Sequence, residues 1–250
     1  MSAEIMYTHS EKGMGRSQVD KAYQCISDMI FKYQISPGMS VSDYALSSLL
    51  GISRTPIRQA MMMLENNGLI VYTERSYKVP EITLKSIDDL YDARACLEVA
   101  ILRVSMKKGI KPDEIAKLRQ FVAAEDRCNT SGESLAGLEY DMDFHHYLNS
   151  LAKNDRLKAS YENLHLQMKM LNVFSLANPN FNTPKVYYSI VEAIASGDVE
   201  LACKRLEDSI EVGRKQKKSA IERFGSYGLQ GIYTFIAQSY ISATKSGRLK

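Results

Sequence analysis

The chain has 250 residues, enough for two modest domains or one large one. Apolar residues make up 45% and charged residues 24%, a globular balance that excludes a disordered or fibrous chain. The net charge of +3 is too small to name a partner, so only local clusters of charge can point to nucleic acid.

Residues 1–15 read as a flexible leader, and the opening MSAEIMYTHSEKGMGRSQ lacks the apolar core of a secretory signal. A first helix is expected from Ser17 to Gln34, with Val19, Tyr23, Ile26 and Ile30 on one face. Pro37-Gly38 marks a turn. A short second helix follows, capped by Ser42 with Asp43 in its first turn; Ala45, Leu46, Leu49 and Leu50 are its expected core positions. Gly51 makes a sharp turn. A third helix then runs from Ser53 to Asn67-Gly68, where Gly68 suits a left-handed cap. Leu69–Tyr72 and Tyr77–Val79 are β-prone, with Glu74-Arg75-Ser76 between them as a hairpin tip.

Beyond a boundary at Val79–Thr83 the pattern is helical. Thr83 caps a helix that reaches Lys108, and Pro112 opens the next at a favoured first-turn position. Further helices are expected over Leu135–Ala152, Asp155–Ala177, Thr183–Gly197 and Asp198–Ser219. An amphipathic segment, Leu229–Thr244, closes the chain. The expected fold is mainly α. Three helices and a β-hairpin wing form an N-terminal winged helix-turn-helix over residues 16–80. An all-α antiparallel helical bundle occupies 83–222, and a helical extension occupies 223–250.

No run approaches the roughly 18 apolar residues of a membrane span, so a cytoplasmic chain with no membrane partner is expected. Cys25, Cys96, Cys128 and Cys203 form no Cys-x-x-Cys pair. They read as small buried apolar residues in a reducing compartment.

Chemistry concentrates in LSSLLGISRTPIRQAMMMLENNGLI. Arg54 and Arg58 are four apart, so they share one face of the third helix, with Thr55 beside them. Ile57, Met61 and Leu64 fall on the opposite side. Arginine can grip guanine O6 and N7 with two hydrogen bonds, and the helix start at Ser53 attracts phosphate. The stretches ISPGMSVSDYALSSLLG and GISRTPIRQAMMMLENNGLI resemble the signature of the GntR family of bacterial regulators. That resemblance implies that Ser53, Arg54, Thr55 and Arg58 contact DNA, and that the wing around Arg75 and Lys78 enters the minor groove or touches phosphate. One departure is the wing tip, Glu74-Arg75-Ser76-Tyr77, where family wings usually carry glycine.

In the helical part, Asp141 and His145 are also four apart, so a carboxylate and an imidazole can converge on one ion. IDDLYDARACLEVA, DMDFHHYL and YYSIVEAIASGDVELACKRLEDSI resemble the FadR type of regulator, specifically its FCD subgroup. The resemblance implies a sensor site containing Arg94, Asp141, His145, Tyr187 and Ser209. Metal-binding members complete the Asp/His pair with two more histidines; the aligned positions here are Tyr187 and Ser209, poor ligands for zinc. The set is incomplete and no cofactor is certain from it, so two readings stay open: a divalent metal (Zn, Ni or Mn) held weakly by Asp141 and His145, or no metal, with Arg94 and His145 holding an anion themselves. His165 could supply a substitute ligand, and His146 should face away from His145. Arg94 suits a carboxylate, because guanidinium binds it with two hydrogen bonds. Met168, Met170 and Leu171 read as core.

The function that follows is a ligand-responsive repressor. It binds a palindromic operator as a homodimer and is released by a small organic acid or sugar acid. The alternative is a metal-dependent helical enzyme using Asp141 and His145. A third class is a pure interaction module. No Ser-His-Asp trio or phosphate loop supports catalysis.

Overall fold

A computed structural model of the chain describes residues 17–73, 76–172, 174–175 and 183–225, together with 231, 233, 234, 237, 238 and 241. The leader, Arg75 and most of the 223–250 extension lie outside the described residues.

Helix α1 (Gln18–Phe31) starts from a capping box: the Ser17 hydroxyl accepts the Asp20 N–H, and the Asp20 carboxylate accepts the Ser17 N–H. Its apolar face buries Ala22, Ile26 and Ile30. The helix stops at Phe31, earlier than expected, and Tyr33 turns the chain in a left-handed conformation (φ 58°). Strand β1 (Ser40–Val41) follows, then α2 (Asp43–Leu50) from its Ser42 cap. Gly51, at φ 65°, makes the tight turn that a side chain would strain. Helix α3 (Arg54–Asn66) buries Ile57, Ala60, Met61 and Leu64 against α1. Strands β2 (Val71–Thr73) and β3 (Ser76–Lys78) form the wing. The sheet is antiparallel in the order β1-β3-β2, with both Ser40 and Val71 opposite Lys78.

Three expectations need correction here. Ala45 is exposed and Leu49 is 66% exposed, so α2 commits chiefly Leu46 to the core. An eight-residue helix has one narrow inward stripe, and only Leu46 lies squarely on it. Strand β1 was not anticipated, because two residues are too short to show a period of two. Among the cysteines, Cys128 and Cys203 are buried, but Cys25 and Cys96 are exposed on the outer faces of their helices.

The bundle comprises α4 (Leu84–Lys108), α5 (Pro112–Ser131), α6 (Ser134–Ser150), α7 (Asp155–Asn172), α8 (Thr183–Ala195) and α9 (Val199–Gly225). Thr83 caps α4 reciprocally with Ser86, and Pro112 opens α5. Helix α7 ends at Asn172, short of the expected Ala177, and a 3₁₀ turn holds Phe174 and Ser175. Helix α9 outruns the expected Ser219, and buried Ala220 and Ile221 keep its last turns on the body. Helix α4 packs on α7 and α9, α5 on α6 and α8, and α8 on α9. Tyr91, Ile101, Phe144, Ile190 and Leu206 are fully buried between them.

Helix α7 belongs to both cores. Leu164, Met168 and Leu171 face the bundle, whereas Met170 is buried in the core of the N-terminal module. Lys169 lies over the Phe31 ring at 4.8 Å, and the Asn163 amide donates to the Asn66 carbonyl at 3.0 Å. Tyr33 crosses in the other direction. Its hydroxyl donates to the Met170 carbonyl, and its ring meets Phe174 and Tyr233. Tyr233 is buried at this contact.

His165, on α7, is buried against Tyr161 and His146. Burial first, then the neighbouring His146 and Lys169, push its pKa from 6.5 down to about 3; Glu98 opposes them and His145 reinforces them. The folded ring stays neutral where the unfolded ring is protonated. Stability is therefore complete above pH 6.5 and is lost as pH falls toward 3, by roughly a few kcal/mol at the acid end. Urea unfolding of His165→Gln should show a flatter pH slope in that window than the wild type. An unchanged slope would assign the acid sensitivity to other groups.

Candidate functional site

The first site is the exposed face at the start of α3. Arg54, Thr55 and Arg58 all reach solvent, while the opposite face is sealed in the core. The two arginine side chains are 51% and 64% exposed. Both converge on the Asp43 carboxylate: Arg54 donates from Nε (3.3 Å) and Nη2 (2.9 Å), and Arg58 donates from Nε (2.5 Å). These bonds, from Arg58 and then Arg54, hold the Asp43 carboxyl below its ordinary range. Each guanidinium has five N–H donors, so pairing with Asp43 fixes its direction and leaves other donors for a base edge or phosphate. Ser53 sits at the helix start without a side-chain cap bond, and Lys78 is exposed on the central wing strand. Of the expected DNA-contacting residues, only Arg75 lies outside the described ones.

The second site is a buried polar cluster at the centre of the bundle. Arg94 and Glu98 are four apart on α4, and Asp141 and His145 are four apart on α6. Tyr187 comes from α8, Ser209 and Lys217 from α9, and Asn172 from the end of α7. Arg94 donates Nε to Glu98 at 2.8 Å, and its Nη2 lies 2.8 Å from His145 Nε2. His145 Nδ1 is 2.8 Å from the other Glu98 oxygen. The Tyr187 hydroxyl donates to Asp141 Oδ1 and lies 3.0 Å from His145 Nε2. Asn172 donates to Asp141 Oδ2 at 3.1 Å. Phe144 stacks on the Tyr187 ring at 4.6 Å and keeps that side apolar.

A small cavity of about 40 Å³ opens beside this cluster, lined by Arg94, Asp141, Asn172, Tyr187, Ser209 and Lys217 among others. Four of the five expected sensor residues therefore reach its wall. His145 stands one layer behind, holding Arg94 and Tyr187. Gly213 lets α9 come close, because a Cβ there would sit 3.1 Å from the Tyr91 hydroxyl oxygen. Electrostatics follow from burial and pairing. Burial alone would raise the Glu98 carboxyl, but Arg94 and His145 overrule it and hold it at about 2. Burial and the nearby Asp141 push the Tyr187 hydroxyl well up, so it remains a donor. Burial lowers the Lys217 ammonium to about 8; Asp141 opposes that fall and Arg94 adds to it.

The fit to a metal can be judged from the donors. A guanidinium never accepts, so the Arg94 contact requires a lone pair on His145 Nε2 and places the ring proton on Nδ1, toward Glu98. That lone pair is the one a metal would need. Both Asp141 oxygens are engaged by Tyr187 and Asn172. Among the described residues no group of three or more His, Cys, Asp or Glu is placed to hold a metal ion. As arranged, the Asp141 and His145 donors do not fit Zn, Ni or Mn. His146 turns away from the cluster, toward Tyr161 and His165.

Several residues of the two sites were not singled out from sequence. Glu98 could have been found from its spacing to Arg94, by the rule that paired Asp141 with His145. From its position in the sequence, Asp43 reads only as a helix-start charge. Asn172 and Lys217 arrive from distant elements, and no local pattern marks them.

The N-terminal module matches the family described as bacterial regulatory proteins, gntR family, over residues 18–76. The bundle matches the FCD domain over residues 89–211. The Nta operon transcriptional regulator of Aminobacter aminovorans is 33% identical over 132 residues, covering 52% of this chain and 61% of that protein. The uncharacterized HTH-type transcriptional regulator YdhC of Bacillus subtilis (strain 168) is 26% identical, covering 57% of this chain and 64% of that one. The chain thus spans less than two thirds of the length of these curated relatives. The solved structure of E. coli McbR/YncC superimposes with a TM-score of 0.70 at 17% identity, covering 82% of this chain and 99% of that one, which shows a shared fold. The matched proteins are transcription regulators and not enzymes, so the metal-dependent enzyme alternative finds no support. No helix among the described residues is long and apolar enough to cross a membrane. With a helix-turn-helix and wing at one end and an FCD bundle at the other, the chain belongs to the GntR family of bacterial transcription regulators.

Proposed function

We propose that the protein is a repressor that binds a palindromic operator as a homodimer and leaves it when a small anionic metabolite enters the bundle. The observation that carries the DNA half is the solvent-facing Arg54/Thr55/Arg58 face, with both guanidiniums pinned by Asp43 at the head of the second helix of a helix-turn-helix. One such helix reads few base pairs, so selectivity needs two copies on two half-sites. Ser53 and Lys78 add phosphate contacts, with Arg75 at the wing tip. The effector half is supported by the cavity wall, where Arg94 offers a buried guanidinium to an organic acid or sugar acid and Tyr187 and Ser209 offer hydroxyls.

Selection from a random duplex pool should yield an inverted repeat, and light scattering should give two chains per duplex. On that duplex Arg58→Ala should cost about 1–3 kcal/mol, and less on random DNA. Asp43→Asn should tighten binding to random DNA by removing a negative charge while lowering discrimination, because both arginines lose their guide. Equal losses on both duplexes in Arg58→Ala, or one chain per duplex, would contradict the proposal.

For the effector, a thermal-shift screen of organic acids and sugar acids should find compounds that stabilise the protein and release the selected duplex. The shift should shrink in Arg94→Ala and in His145→Ala, which removes the group behind Arg94. A hit whose stabilisation survives both substitutions would place the effector elsewhere.

A further inference from the structure

The outward face of α3 carries more than its arginines. At about 100° per residue, the buried positions Ile57, Ala60, Met61 and Leu64 share one side of the helix, and the direction opposite their centre falls between Thr55 and Gln59. Arg58 lies about 70° to one side of that direction and Arg54 further round, toward α2, where Asp43 holds both. The centre of the outward face therefore belongs to Thr55, Gln59 and Met62, all of them exposed. The neighbours of Gln59 at three and four residues along the helix are Thr55, Pro56, Met62 and Met63. A proline and two thioethers thus stand where polar side chains would tie the amide down. Met62 is 59% exposed and Met63 40%. A face kept only for solvation would carry charge at these positions. An amide beside two exposed methionines suits base edges instead, where apolar side chains meet thymine methyl groups and amides meet paired donors and acceptors.

The chemistry of the amide selects the base. A guanidinium only donates, so it satisfies O6 and N7 of guanine and has nothing for the amino group of adenine. The Gln59 amide has both functions: its Oε1 can accept from adenine N6 while its Nε2 donates to N7. Cytosine presents only the N4 donor in the major groove and thymine only the O4 acceptor, so each meets half of the amide. Gln59 directly follows Arg58, so the two side chains leave the helix about 1.5 Å apart along its axis and about a quarter turn apart around it, one on each side of Thr55.

We propose that Gln59 is a specificity-determining residue, which reads an adenine in each half-site within about three base pairs of the guanine taken by Arg58. This proposal rests on α3 being the base-reading helix.

The test uses the full-length protein and the inverted repeat selected from a random duplex pool. Each half-site should hold an adenine in that window, and replacing it with 7-deazaadenine, which lacks the N7 acceptor, should weaken the wild type roughly tenfold. Gln59→Ala should bind the natural and the 7-deaza duplexes equally, and a fresh selection with it should lose the adenine while keeping the guanine. Gln59→Glu should exchange the adenine for cytosine, whose N4 a carboxylate can accept from. Because Gln59 is exposed, both variants should unfold in urea as the wild type does. A selected half-site without adenine in the window, a Gln59→Ala protein that selects the unchanged site, or a Gln59→Glu protein that still selects adenine overturns the proposal and leaves the reading by Arg58 standing. Failure of the wild type to select any sequence overturns both.

Discussion

The bundle is organised around the burial of one guanidinium. Arg94 is 9% exposed, and a charge taken that far from water must be paired and hydrogen-bonded or it destabilises the fold by several kcal/mol. Its partners come from its own helix and from α6: Glu98 four residues on, and His145 across the interface. Glu98 in turn takes His145 Nδ1, so three side chains close a ring that sets α4 against α6. Tyr187 and Asp141 extend the ring to α8, and Asn172 extends it to the end of α7. Fully buried Phe144 stacks on Tyr187, and the buried Tyr91 ring lies beside Arg94, so these sides of the ring are shielded from water. What remains beside the ring is a cavity whose walls are polar because the ring is there.

Helix α7 is the physical link between this cavity and the N-terminal module. Its last residue, Asn172, bonds Asp141, and Ser175 just beyond it accepts from Lys217. Two residues before Asn172, the Met170 side chain is buried in the N-terminal core while its carbonyl takes the Tyr33 hydroxyl. Tyr33 follows the C-terminal end of α1, and α1 packs on the recognition helix α3. A guest that alters the bonds of Asn172 or Ser175 acts on a segment that both cores share. Coupling then requires only that the guest bind two arrangements of this segment unequally.

Local grammar made most of the fold legible. Ser42, Thr83 and Pro112 start helices where hydroxyl caps and a first-turn proline belong, and Gly51 and Gly68 turn the chain at positive φ. Arg54 with Arg58, and Asp141 with His145, were visible because helical spacing of four is a local property. Strand β1 was hidden by its length, and the exposure of Leu49 by the narrowness of α2. The tie between the modules was hidden for another reason. Tyr33 meets Met170, Phe174 and Tyr233 across more than a hundred residues, and Lys217 meets Ser175 across 42. Such pairings are settled by packing, and no periodicity announces them.

The central claim is that the DNA-reading face and the bundle cavity form one coupled system through α7. Hydrogen exchange, read by mass spectrometry on the full chain with and without its selected duplex, tests this most directly. The account predicts slowed exchange at the start of α3 together with a change at the end of α7, around Met170–Ser175, and in the helices bordering the cavity. Changes confined to residues 17–80, with the end of α7 and the cavity helices exchanging identically in both states, would contradict it.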